Sequence, residues 1–157
     1  MPIHIRIPGI PPTDNHAYIH LRKAKKRVLS KDGERYKNET KTFIAQHYPQ
    51  ELKFFEPNRP YTLIVEVTFK GRSTLICETY PEKATSRYQS LDAMNRIKLF
   101  ADAFAEATGV DDRAFWSYTT RKNWDATKEE INLWAWCPER ETSPFDDYVR
   151  ALPRMST

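Results

Sequence analysis

An acid at a helix start and another at a strand start can converge at one edge of a sheet. This sequence offers such a pair. Asp92-Ala93-Met94-Asn95-Arg96-Ile97-Lys98 is followed, fourteen residues after Lys98, by Asp112, with Asp111 beside it. Carboxylates, water and substrate phosphate together suit a hard divalent cation such as Mg²⁺. A cation held this way activates water for attack on a phosphodiester and stabilises the leaving oxygen. The same residues also have plain structural readings. Asp92 can be an N-cap, and Asp111-Asp112 can be a solvated turn.

These residues need a helix between them, and the pattern predicts one from about Asp92 to Thr108. Met94, Ile97, Ala101, Phe104 and Thr108 step by three and four, which predicts one buried seam. Asn95, Lys98 and Asp102 fall on the other side. Gly109 ends the helix, because Gly tolerates positive φ. Ile3, Ile5 and Ile7 alternate with polar residues and predict a strand, which Pro8-Gly9-Ile10-Pro11-Pro12 ends. Ser30 to Gly33 reads as a turn, and Glu34 to His47 as a helix that buries Tyr36, Phe43 and Ile44. Leu63, Val65, Val67 and Phe69 alternate in the clearest strand of the chain. Phe115 to Lys122 and Glu130 to Cys137 read as a hairpin turning at Asn123 to Ala126. The order strand, helix, strand, helix, strand, strand predicts one small α+β domain with a mixed sheet and two main helices. Residues 1–137 form that domain, and 138–157 read as a polar tail.

Composition narrows the class. The chain has 157 residues, 39% hydrophobic and 13% aromatic, which suits one packed domain rather than disorder. Four glycines leave little room for a glycine-rich phosphate loop. Cys77 and Cys137 are sixty residues apart, a spacing that suits reduced thiols in a cytoplasmic protein rather than a disulfide framework. No apolar run reaches the ~20 residues of a membrane span. His16 and His20 are four apart, but no Glu follows His16 as a zinc-protease helix requires. The net charge of +4 leans toward a polyanionic partner. Five of the six residues from Arg22 to Arg27 are cationic: Arg22, Lys23, Lys25, Lys26 and Arg27. In a loop beside Tyr18 and His20 they would track phosphates rather than read bases. Trp134 and Trp136 share one strand face, as core or dimer interface.

Three blocks resemble the RusA-type Holliday junction resolvases, which are small dimeric endonucleases. The first is Ile5 through Asn15, similar to the family's strand and Pro-Pro-Ser/Thr-x-Asn. The second is Ser30 through Tyr36, leading into a helix. The third is Asp92 through Lys98, then Ala101-Asp102-Ala103-Phe104, then Gly109-Val110-Asp111-Asp112. It is similar to the family's Asp-x-Asp-Asn-x-x-Lys, a Leu-Asp-Ala-Leu-like stretch, and Asp-Asp. The resemblance implies metal ligands at Asp92 and Asp112 with Asp111 beside them, a catalytic Lys98 and a supporting Asn95. It implies Mg²⁺, with Mn²⁺ as a substitute, and a homodimer acting on four-way DNA junctions. Asn15, Arg35 and the Arg22–Arg27 cations would bind DNA. One position departs: Met94 stands where the family has its second acid, and a thioether is a poor ligand for Mg²⁺. The seam predicted above would use Met94 for packing, and Glu66 or Glu78 could then supply a third carboxylate. Two alternatives follow: a branched-DNA-binding protein with weakened or lost catalysis, and a nuclease for flaps or other branched DNA.

Overall fold

The computed structural model describes residues 2–70, 94–125 and 127–138, without the side chains of Asp14, Met94, Asn95 and Trp124. Strand β1 (Ile3–Pro8) is followed by a short helix α1 (Asp14–Ala17). A hairpin comes next, β2 (Tyr18–Leu21) and β3 (Lys26–Leu29), joined through a 3₁₀ turn at Arg22–Ala24. Helix α2 (Lys31–His47) leads into β4 (Tyr61–Lys70). Helix α3 (Met94–Thr108) then precedes β5 (Phe115–Asp125) and β6 (Glu130–Trp136).

The main sheet has the order β1-β6-β4-β5. β4 and β5 are parallel, and the other pairs are antiparallel. Parallel neighbours need a crossover, and α3 lies on the chain between them. The result is a small α+β domain with a mixed sheet, as expected. The predicted C-terminal hairpin is corrected: β4 lies between β5 and β6. Consecutive strands commonly pair, but the crossover delivers β5 to the far edge of β4.

One face of the sheet packs on the helices. Ile5, Ile7, Leu63, Val65, Val67, Ile131 and Leu133 meet Ile44, Phe100 and Phe104 in the core. Cys137 is buried and free, whereas Cys77 lies outside the described residues. The seam of α3 is Leu99, Phe100, Ala103 and Phe104, all fully buried. The predicted seam was turned toward Ala101 and Thr108, which are only half-buried. Small and polar residues at those positions fitted either phase of the helix. The proposed packing of Met94 concerns a side chain outside the described residues. Along the helix, Met94 begins the i, i+4 row that continues through Lys98 and Asp102.

Helix α2 starts earlier than the sequence pattern predicts. Ser30 is the N-cap and not part of a turn: its Oγ accepts from Gly33 N at 3.0 Å. The same hydroxyl donates to His16 O at 2.5 Å, and Ser30 N donates to Ala17 O at 2.8 Å. These bonds fix the base of the hairpin against α2. Among the described residues, no helix is long and apolar enough to cross a membrane.

Candidate active site and nucleic-acid interface

Helix α3 supplies one wall of the candidate site. Lys98 and Asp102, one turn apart, pair at 3.8 Å between Nζ and Oδ2. Gly109 reverses the chain with φ +70, and buried Val110 anchors the reversal. Asp112 therefore returns beside the helix it follows. Asp102, Ala105, Glu106, Asp111 and Asp112 line an open groove of about 520 Å³, together with Lys37 of α2.

Asp111 and Asp112 differ in their surroundings. Asp111 caps the 3₁₀ turn Asp112–Ala114, accepting from Arg113 N at 3.0 Å. Its two oxygens also take Arg113 Nε at 2.9 Å and Nη2 at 2.8 Å. The Arg113 side chain, then its backbone N–H, hold the Asp111 carboxyl well below the usual carboxylate range.

Strand β5 follows directly after this turn. Its register against β4 shifts between Tyr61 and Thr62, so Trp116 is the extra residue of a bulge. Bulges re-aim neighbouring side chains. Here Phe115 and Tyr118 both serve the helix side, packing edge-on at 5.9 Å, while Trp116 is 75% exposed. Burial pushes the Tyr118 hydroxyl above its ordinary pKa, and the charges of Asp112 and Asp102 add to the rise. Both carboxylates thus act on one aromatic of β5.

The cationic run is not the loop expected from sequence. Arg22 and Lys23 sit in the 3₁₀ turn, Lys25 turns the chain at φ 48, and Lys26 and Arg27 begin β3. All five are exposed. The hairpin has no Gly or Asn to announce its turn, which hid it from sequence reading. Its base is tied to the groove: the Tyr18 hydroxyl donates to Asp102 Oδ2 at 3.0 Å. Asn15 is exposed on α1. Arg35 is exposed on α2 and pairs with Asp32 at 3.1 Å. Arg96 Nη1 donates to Pro11 O at 2.5 Å, joining the proline turn to α3.

Over residues 8–133 the chain matches the family model of the endodeoxyribonuclease RusA. The chain belongs to the RusA family. No curated protein matches it closely enough to name a relative. RusA membership supports nuclease activity on DNA and suggests action at Holliday junctions.

RusA nucleases generally use divalent metals. The groove offers oxygen donors, Asp112 with Asp102 nearby, which suits a hard cation. Among the described residues, no three His, Cys, Asp or Glu form a metal cluster. Asp92, Glu78 and the Asn95 side chain lie outside the described residues. Glu66 does not join the groove. It alternates with core-facing Val65 and Val67 onto the opposite sheet face, where Asn123 Nδ2 donates to it at 3.3 Å. Sequence reading placed Asp102 on the polar face of the helix but gave it no task. The signal was its position four residues after Lys98. Tyr118 carried no such signal, because the register shift in β5 that precedes it was not legible from sequence.

Proposed function

We propose that this protein is a metal-dependent, structure-selective endonuclease that cuts four-way DNA junctions as a homodimer. The observation that carries the reading is the placement of Asp102 and Asp112 on one groove, with Lys98 paired to Asp102 and Asp102 bonded to the base of an exposed cationic hairpin. Asp92 and Asp112 would hold Mg²⁺ or Mn²⁺, and Asp111 could join only by releasing Arg113. The cation supplies an activated water and neutralises charge on the leaving oxygen. Lys98 stabilises charge that develops on the scissile phosphate. Arg22, Lys23, Lys25, Lys26 and Arg27 hold the DNA backbone, with Arg35 and Asn15 extending that surface. Asn95 supports the ligand turn. Two-fold symmetry would match two strands of like polarity.

A labelled four-way junction tests this with Mg²⁺, with Mn²⁺ and with EDTA. Paired symmetric nicks that need the metal are expected. Cleavage confined to flaps would retarget the enzyme to other branched DNA. Binding without cleavage favours the second reading, a junction-binding protein, which rests on Met94 at the second acidic position. Met94→Asp would then restore cleavage, because it places a carboxylate on the Lys98–Asp102 row.

A further inference from the structure

The roles assigned above leave Asp102 without a task. Its Oδ2 accepts the Tyr18 hydroxyl at 3.0 Å and lies 3.8 Å from Lys98 Nζ. Tyr18 opens β2, and the Arg27 guanidinium of β3 stacks 4.2 Å from the centre of its ring. Arg27, Tyr18, Asp102 and Lys98 therefore form one continuous path from the cationic hairpin to the groove.

The contacts differ in strength along this path. The Tyr18–Asp102 bond is charge-assisted and part-buried, so it is a firm anchor. The Lys98–Asp102 pair is long, and the Lys98 side chain is 58% exposed. Such pairs contribute little to stability. Its order along the helix, with the cation first, is also the less favourable one for an i, i+4 pair. The pair is therefore poorly suited to holding the helix, but it suits a lysine that must exchange a carboxylate for a phosphate.

We propose that Asp102 is a positioning residue that holds Lys98 toward the scissile phosphate, and that Tyr18 ties Asp102 to the DNA-gripping hairpin. DNA seated on the hairpin then steadies the lysine through Tyr18. The catalytic part of this inference rests on the junction-cutting reading above, whereas the holding of Lys98 does not.

Amine-reactive labelling of the free protein, read by peptide mass, reports on Lys98 without any cleavage. Tyr18→Phe keeps the ring beneath Arg27 and removes only the hydroxyl. In that variant and in Asp102→Asn, Lys98 labelling should rise at least about twofold as the pair loosens, while Lys53 and Lys128 keep their wild-type rates. In single-turnover cleavage, Tyr18→Phe should lose about tenfold in rate. Its junction Kd should stay near wild type, its unfolding midpoint should fall by no more than one hydrogen bond accounts for, and Asp102→Glu should recover part of the Asp102→Asn loss. In a Lys98→Ala background, Tyr18→Phe should have no further effect on rate. Unchanged Lys98 labelling in Tyr18→Phe overturns the inference, as does an additive rate loss in the Lys98→Ala background. A wild-type protein that binds junctions without cutting them overturns the nuclease reading alone, and the labelling result still decides whether Tyr18 and Asp102 hold Lys98.

Discussion

Asp111 and Asp112 are adjacent in sequence, but it is Asp111 that Arg113 holds. Arg113 occupies both Asp111 oxygens, so Asp111 shapes the turn that presents Asp112. Asp112→Asn should lower single-turnover cleavage on the order of a hundredfold or more, the scale at which one electrostatic group acts, with junction Kd near wild type. Asp111→Asn should cost far less in rate. Comparable losses in the two variants would show that Asp111 reaches the phosphate despite Arg113. At this scale the sequence was informative where spacing decides position. Lys98 and Asp102 stand four apart, and Gly109 was legible as the point of chain reversal. It was silent where a partner decides the role, because nothing in Asp111-Asp112-Arg113 says which carboxylate the arginine takes. Periodicity alone also left the phase of α3 open: among the described residues its buried side is Leu99, Phe100, Ala103 and Phe104, so of the predicted seam only Phe104 is fully buried.

Helices α2 and α3 must stay in register for the groove to exist, and two features between elements can be tested. The first is Gly33, in the first turn of α2. A Cβ there would overlap the Ala17 carbonyl oxygen and press on Leu29 Cδ2 at 3.1 Å. Gly33→Ala should destabilise the protein by about 1–3 kcal/mol, as overpacking does, read as a lower urea midpoint. Because Ala17 precedes Tyr18, the hairpin base should shift with it. A midpoint equal to wild type would mean that α1 yields without cost. The second is Glu106 of α3, which pairs with Lys37 and with Lys41 of α2, the latter at 2.7 Å. The Lys37 bond first, then that to Lys41, holds its carboxyl below the ordinary value near 4.5. A depressed folded pKa stabilises above the unfolded value and loses that contribution as pH falls through the folded one. The pairs are exposed, so their joint contribution is roughly 0.5–1 kcal/mol. Glu106→Gln should therefore be less stable than wild type at neutral pH, and the gap should close as pH falls below the ordinary carboxylate value and through the lowered folded one. A gap that persists in acid would assign the effect to packing. Long elements with clean periods, β1, β4 and the body of α3, were legible from sequence. The hairpin of two four-residue strands was not, since Lys25 adopts φ 48 without the Gly or Asn that would mark it.

For the whole molecule, charge placement matters more than net charge. A net +4 on 157 residues is modest, yet five cations stand exposed on one hairpin whose base is bonded to the candidate catalytic helix. Neither the sheet order nor the projection of that hairpin could be read from sequence, because both depend on contacts across the chain. The consequence is measurable as salt dependence. Each phosphate contact released contributes about 0.9 to the slope of log K against log salt on B-form DNA. If Lys25, Lys26 and Arg27 each hold a phosphate, replacing all three with Gln should flatten the slope by up to ~2.7. It should weaken four-way junctions and plain duplex alike, because phosphate contacts position DNA and do not read it. Preference for the junction over duplex should then survive the triple substitution, carried by the proposed dimer geometry and by the groove. An unchanged slope would remove the hairpin from the DNA interface. A flattened slope with lost junction preference would make the hairpin itself the element that recognises branching.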